Sequence, residues 1–378
     1  MKVCNLAILP SGFSAYAISC GIKKKGKRDL AIFYSAIPAV AAGLFTSNKI
    51  LAAPIIVCKK HLLVNKGYQA IIVNSGNANC FTGVVGLKDA ERMVSCAAKN
   101  LGIRKESVFV ASTGIIGKRM PIEKIEKAIP VIVKGLSKNG IDKAKKAILT
   151  TDTFTKEITV RFNIGKDVVT LCGIAKGSGM IAPNMATMLA FIFTDAFIAK
   201  AALNKALKTA VENSFNCITV DGCMSTNDSV IVLANGEAKN NIIIKGKHYN
   251  TFLLALNTVC LNLAKKIVED AEGATKFIQI KVDNAKSYKE AKRAALSIAN
   301  SNLFKTAVFG QNPNYGRIVA AVGACGIDVK EKDLKIKVSP LNKKNINVVV
   351  SLNKGNSKAV IYTSDLTPEY IKINAEYN

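Results

Sequence analysis

The stretch KGSGMIAPNMATMLAFIFTDA, Lys176 to Ala196, runs from a loop with two glycines, a proline and an asparagine straight into an apolar segment. TMLAFIF, Thr187 to Phe193, has the pattern of a hydrophobic strand. The Thr187 hydroxyl sits at its mouth, so it is either the first residue of a core strand or a nucleophile on the edge of a rigid element. Threonine is a poor nucleophile without a base, and neither His61 nor His248 lies in a triad context. A cut just before Thr187 would supply a base. The freed α-amine, with a reference pKa of about 7.7–8.0, is partly unprotonated near neutrality and lies beside the hydroxyl. Gly177, Gly179 and Pro183 can hold the Ala186 carbonyl in a strained turn, where the Thr187 hydroxyl attacks it and forms an ester that water cleaves. On residue chemistry alone, a plain strand threonine stays the simpler account.

Helices and strands interleave on both sides of this stretch. Upstream, AIFYSA, APIIVCKK, QAIIVNSGNANC and SVFVASTGIIG have the character of short strands, and VVGLKDAERMVSCAAKNLG forms a helix ended by Gly102. PIEKIEKAIPVIVKGL and IDKAKKAIL fit further helices, while KEITVRFNI and DVVTLCGIAKG form a strand pair joined around Gly165. Downstream, AFIAKAALNKALKTAVENS, YNTFLLALNTVCLNLAKKIVEDA and SYKEAKRAALSIANS are helical, and DSVIVLAN, KFIQIKV, INVVVSL and KAVIYTS are strand-like. No low-complexity linker or internal repeat divides the chain, so the fold class is α/β or α+β and residues 1–378 form one interlocked unit.

With 378 residues, 49% hydrophobic and 21% charged, the chain has the composition of a globular protein with a sizeable core. No apolar run reaches the roughly 18 residues that a membrane-spanning helix needs, and MKVCNLAILPSGF lacks the apolar core of a signal peptide. The membrane is therefore not an expected partner. Ten cysteines without a CxxC pair, and only two histidines, suggest neither a zinc site nor a disulfide framework but reduced thiols in the cytoplasm. A formal charge of +27 invites a nucleic-acid reading. Yet only seven residues are arginine, the lysines are spread along the chain, and no aromatic platform accompanies them. The one dense run, KKKGKR at Lys23 to Arg28, is expected to be a solvated hairpin turn around Gly26, and no nucleic-acid partner is expected.

Three glycine-bearing turns follow strands. NSGNAN, Asn74 to Asn79, offers amides that orient a polar ligand or merely close a tight turn. ASTGIIGK, Ala111 to Lys118, lacks Walker spacing, but glycine at Thr113-Gly114 permits close approach and leaves backbone N–H groups for a developing oxyanion. GIAKGSG lacks a dinucleotide fingerprint, and Lys176 within it is a surface lysine or the partner of a substrate carboxylate.

The segment AKGSGMIAPNMATMLAFIFTDA resembles the cleavage-site signature of the ornithine acetyltransferase family, also called the glutamate N-acetyltransferase family of arginine biosynthesis. The resemblance continues through GIKKKGKRDLAIFYS, AAGLFTSN, VNSGNANCFTG, STGIIGKRMP, ILTTDTFTKE, TVDGCMSTNDS, EDAEGATKF, KTAVFGQNPNYGRI and INAEYN, nearly end to end. It implies a layered αββα fold and a precursor that cleaves itself between Ala186 and Thr187 into an α chain, 1–186, and a β chain, 187–378, associated as α2β2. It implies a ping-pong reaction in which Thr187 takes acetyl from N-acetyl-L-ornithine and passes it to L-glutamate. By the same resemblance Thr113 and Gly114 form the oxyanion hole, and Thr150, Lys176, Thr187, Glu272 and Asn374 bind substrate. Lys176 would pair with the α-carboxylate that both substrates share, and Glu272 would meet an amino group. No metal or organic cofactor is implied, and acetyl-CoA is an additional donor in some members.

The chain departs from the family pattern at a few positions. Cys217 and Cys223 stand where arginine and aspartate are expected, Tyr315 where tryptophan is expected, and the terminal serine or threonine contact is missing or taken by Asn378. Two other functions are compatible with parts of the sequence: an amidase or aminopeptidase in which water resolves the acyl-threonine, and a nonenzymatic basic protein that binds nucleic acid.

Overall fold

The computed structural model describes residues 1–23, 26–64, 67–182 and 188–376. They belong to two compact units. The first comprises Met1–Gly177, Asn184–Phe215 and Met224–Leu263; the second comprises Ser178–Pro183, Asn216–Cys223 and Ala264–Asn378.

In the first unit the strands are β1 (Lys2–Cys4), β2 (Phe13–Ile18), β3 (Leu30–Phe45), β4 (Tyr68–Asn77), β5 (Val108–Ile115), β6 (Lys156–Ile164), β7 (Asp167–Lys176), β8 (Leu189–Thr194) and β9 (Ser229–Ala234). They order as β1-β6-β7-β8-β9-β3-β4-β5, with β2 paired to β3. The 16-residue β3 serves two sheets. Its first half pairs with β2 and β4, its register shifts between Tyr34 and Ala39, and Val40 to Phe45 then pair with β9. Pro38 sits in the shift, where a residue without an N–H costs no ladder bond.

That change of partner brings the two sheets face to face. Phe33 of β3 meets Phe191 and Phe193 of β8 at centroid distances of 5.6 and 5.2 Å, and Phe13 meets Phe193 at 5.4 Å. Strand alternation turns Ile192 to the opposite face. Gly173 of β7 makes room there for the helix Gly246–Glu269, since a Cβ at this position would lie 2.5 Å from Val259 and 2.9 Å from Leu263. Helices Ala53–Val64 and Gly83–Leu101 pack on β5, and Ile122–Lys134 and Ile141–Ala147 pack on β2. Helix, sheet, sheet and helix thus stack within this unit, as the αββα expectation has it.

Two sequence expectations change. APIIVCKK is not a strand but the start of the helix Ala53–Val64, in which Ile55, Val57, Cys58 and His61 are all buried. A short apolar run with no clear period does not separate the two states. His61 is a core residue whose Nδ1 pairs with the Val108 carbonyl at 2.8 Å. The second change concerns Gly246–Glu269, which is long and apolar enough to cross a membrane by length and composition alone. Its Phe252, Val259 and Leu263 are wholly buried, so that face is spent on protein packing.

The second unit has its own sheet, ordered β11-β12-β10-β13, from β10 (Phe277–Ala285), β11 (Lys335–Val338), β12 (Asn345–Ser351) and β13 (Ser357–Ser364). Ile278, Ile280 and Val282 alternate onto one face and share a core with Ala291, Ala295 and Ile298 of the helix Tyr288–Ala299. The short elements Asn302–Phe309, Tyr315–Gly323, β11 and Pro368–Ala375 have no counterpart in the sequence reading.

Phe193 is the common contact of β2, β3 and β8, so Phe193→Ala should destabilise the first unit by about 3–5 kcal/mol, the usual cost of emptying a buried aromatic site. Urea unfolding should then give a lower midpoint with an unchanged slope; a midpoint within error of the parent would contradict the packing described.

Candidate active site

β4 and β5 run parallel, with Ser75 opposite Thr113 and Gly76 opposite Gly114. Gly114 has φ +133°, and a Cβ there would lie 2.5 Å from the Asn77 nitrogen, so only glycine fits so close to the neighbouring strand. The asparagines of NSGNAN brace this strand end. Asn74 donates to the Asn77 carbonyl at 2.8 Å and accepts from the Ser112 hydroxyl at 2.6 Å. Asn77 donates to the carbonyls of Lys118 and Arg119 at 3.0 and 3.1 Å, and Asn79 to that of Gly86 at 2.9 Å. These amide donors are occupied by backbone carbonyls, which favours the turn reading of the segment.

Lys176 is not a surface lysine. It is 2% exposed, and its Nζ donates to the Thr150 hydroxyl at 2.8 Å, so two predicted substrate-binding residues meet directly. Beneath them lies Asp152, with Lys156 Nζ at 2.7 Å and Lys176 Nζ at 3.7 Å. Its carboxylate also accepts from the backbone N–H groups of Thr150 at 3.0 Å and Gly177 at 2.6 Å. Burial alone would raise the Asp152 carboxyl, but Lys176, Lys156 and these hydrogen bonds hold it well below the ordinary carboxylate range.

Lys23 leaves the basic turn and reaches toward the same region. Its Nζ donates to the carbonyls of Ala147 at 3.2 Å and Leu149 at 2.5 Å, just before Thr150. Burial lowers it to about 8 against the pull of Asp29, and the charge of Lys176 acts with burial. Lys23, Asp152 and Lys156 are the residues of this cluster that sequence reasoning missed. The signal for Asp152 was available, because it sits inside ILTTDTFTKE between Thr150 and Lys156.

In the second unit the other two predicted binding residues also meet: Asn374 Nδ2 donates to Glu272 Oε2 at 2.8 Å. The Glu272 N–H donates to the Ser178 carbonyl at 3.0 Å. Gly179 has no room for a side chain, since a Cβ would lie 2.6 Å from Glu272 Oε1. Asp221 fixes the residues that follow, its carboxylate accepting from the N–H groups of Met180 at 2.6 Å and Ile181 at 2.9 Å, while the Tyr370 hydroxyl donates to it at 3.2 Å. Met180 adopts φ +55°, a left-handed turn. The predicted cleavage pair, Ala186 and Thr187, lies outside the described residues, as does Asn378. Among the described residues no three His, Cys, Asp or Glu side chains gather to hold a metal ion.

Comparison with known proteins places these residues in a family. The ArgJ family matches residues 14–342. The chain is 45% identical to the arginine biosynthesis bifunctional protein ArgJ of Caldanaerobacter subterraneus subsp. tengcongensis, over 98% of this chain and 97% of that protein. It is 44% identical to the protein of the same name from Streptococcus thermophilus, over the whole of both. Among solved structures, ornithine acetyltransferase of Mycobacterium tuberculosis, complexed with ornithine, is 32% identical, with a TM-score of 0.45 over 48% of this chain and 97% of that chain. The chain belongs to the ArgJ family.

Removing the Asp152 charge takes a counter-ion away from two buried lysines. Asp152→Asn should therefore destabilise the protein by about 3–5 kcal/mol at pH 7. The folded-state pKa lies below the unfolded one, so the carboxylate's contribution is complete above about pH 4 and fades as pH falls through the folded value. Denaturant melts should accordingly show the gap between parent and variant narrowing at acid pH; a gap that widens there would refute the assignment.

Proposed function

We propose that the chain acts in arginine biosynthesis as a glutamate N-acetyltransferase that carries acetyl on Thr187 after cutting itself between Ala186 and Thr187. The observation that carries this reading is 45% identity to an arginine biosynthesis bifunctional protein over 98% of this chain and 97% of that protein.

In the cleavage step the Thr187 hydroxyl attacks the Ala186 carbonyl. The peptide C–N bond breaks, its nitrogen becomes the α-amine of Thr187, and water hydrolyses the resulting ester to release the Ala186 carboxylate. In the transfer steps that amine takes the hydroxyl proton as Thr187 attacks the acetyl carbonyl of N-acetyl-L-ornithine, and gives it to the departing ornithine nitrogen. L-Glutamate then attacks the acetyl ester, N-acetyl-L-glutamate leaves, and the hydroxyl is restored. Thr113 and Gly114 stabilise the tetrahedral oxyanion in each attack.

Two observed pairs support the binding roles. Lys176, braced by Thr150 and Asp152, offers a buried cation for the α-carboxylate common to both substrates. Glu272, paired with Asn374, offers a carboxylate for an amino group. The acyl carrier is the enzyme itself, so this chemistry calls for no metal or organic cofactor. The bifunctional name of the relatives supports acetyl-CoA as a second donor to the same threonine. The two products of cleavage, 1–186 and 187–378, stay associated as α2β2 in the cytoplasm.

Purified protein should separate under denaturing conditions into two polypeptides with two N-terminal sequences, one of them starting at Thr187. Incubation with N-acetyl-L-ornithine should add one acetyl group to the Thr187 chain, and Thr187→Ala should remain a single inactive chain. Full turnover by an uncleaved precursor would sink the mechanism. Assay with acetyl-CoA as sole acetyl donor should yield N-acetyl-L-glutamate, and formation of none would remove acetyl-CoA as a donor.

A further inference from the structure

The N-terminal end of β9 carries two adjacent polar side chains for which the proposed chemistry gives no role. Asn227 is nearly buried, and its Nδ2 donates to the carbonyls of Ala78 at 2.6 Å and Ser112 at 2.9 Å. The Ser112 carbonyl belongs to the peptide whose N–H is that of Thr113, and the Ala78 N–H in turn donates to the Ile115 carbonyl at 3.0 Å. Asn227 therefore holds the chain directly just before Thr113-Gly114 and, through Ala78, just after it. Its own Oδ1 accepts from the Thr226 hydroxyl at 2.6 Å, and its N–H donates to the Ser225 hydroxyl at 3.1 Å, so the amide is fixed in orientation.

Asp228 serves the other strand. It is wholly buried, and Oδ1 accepts from the Met188 N–H at 2.8 Å. Its backbone carbonyl accepts from Thr46 N–H at 3.1 Å, and the Met188 carbonyl accepts from Ser229 N–H at 3.1 Å, which continues the parallel register of β8 with β9. Oδ2 has no partner among the described residues. Burial raises the carboxyl well above its usual range, against the Met188 N–H, the Lys176 charge and hydrogen bonds with the Thr46 and Ser225 side chains.

We infer that Asn227 and Asp228 form a positioning clamp: Asn227 fixes the strand end that bears Thr113 and Gly114, and Asp228 fixes Met188, the residue after the proposed nucleophile. Two neighbouring side chains on one strand then set the span between the oxyanion donors and the acyl-bearing strand. This rests on the reading of Thr187 as nucleophile. A brace that merely held the fold would affect stability; a clamp affects the chemical step, where displacement by about 1 Å costs on the order of a hundredfold.

The test uses full-length enzyme, with rates expressed per cleaved chain. Asn227→Ala and Asp228→Ala should each lower kcat about 100-fold while leaving KM for N-acetyl-L-ornithine unchanged, and should slow precursor cleavage. Asp228→Asn keeps an acceptor for the Met188 N–H and should recover most of kcat. The double alanine variant should be little worse than either single one, because both act on one geometry. Should an alanine variant fail to fold, Asn227→Gln and Asp228→Glu move the same groups by one methylene and should lower kcat in the same way. Folded variants at either position with parental kcat, or an Asp228→Asn variant as slow as Asp228→Ala, would overturn the clamp. Failure of the underlying reading looks different: Thr187→Ala would itself transfer acetyl.

Discussion

Asp152 holds together groups that would otherwise repel. Lys156 and Lys176 converge on it in the buried interior, with Lys23 close enough to feel the charge of Lys176. In water such an arrangement would be worth little, but out of solvent an unpaired ammonium is costly enough to empty the site of charge. The carboxylate also accepts from the Thr150 and Gly177 N–H groups, so one side chain fixes the loop before β6, the end of β7 and the orientation of the lysine between them. The buried cation that suits Lys176 to a carboxylate ligand exists because Asp152 stabilises it.

The sandwich gives that cluster its rigidity. β3 changes partner at Pro38, so the sheets that carry β5 and β8 share a strand and pack through Phe13, Phe33, Phe191 and Phe193. A sheet sandwich buries its faces and leaves its strand ends open, and the polar groups gather at those ends: Thr113-Gly114 on β5, Lys176 on β7, Met188 before β8, Asn227-Asp228 before β9. The apolar faces account for stability, and the strand ends are where side chains and backbone donors remain available for chemistry.

How much of this was legible in the sequence depends on the range of the interactions. Long periodic segments such as SYKEAKRAALSIANS and KEITVRFNI announce themselves, because their neighbours along the chain determine which face is buried. APIIVCKK did not, since apolar Ile56 lies on the exposed side, which erases the period and leaves a helix and a strand equally plausible. The short elements between Asn302 and Gly323 are fixed by packing in the second unit rather than by their own pattern. Among the site residues, the resemblance located Lys176 and Thr150 but gave no reason for their juxtaposition. That reason is Asp152, and its pairing with Lys176 spans 24 positions that no local pattern connects. Lys23 was misread for the converse reason: a basic run looks solvated in sequence, and only tertiary contact reveals that one of its lysines turns inward.

The contrast between inward and outward lysines also settles what the large positive charge means within the structure. Buried lysines are individually matched: Lys145 to Glu157 at 2.7 Å, Lys156 to Asp152 at 2.7 Å, and Lys305 to the Val220 carbonyl. Where a carbonyl and the Thr363 hydroxyl answer the charge, as at Lys305, burial lowers the ammonium to about 8 despite help from Asp221 and Asp365. Few lysines are buried, so the surplus of +27 belongs to side chains toward the surface. A surface charge of one sign raises the local concentration of small anions without any specific contact. The interior charges, by contrast, have fixed partners, and Lys176 at the end of β7 meets Asp152 in the loop before β6.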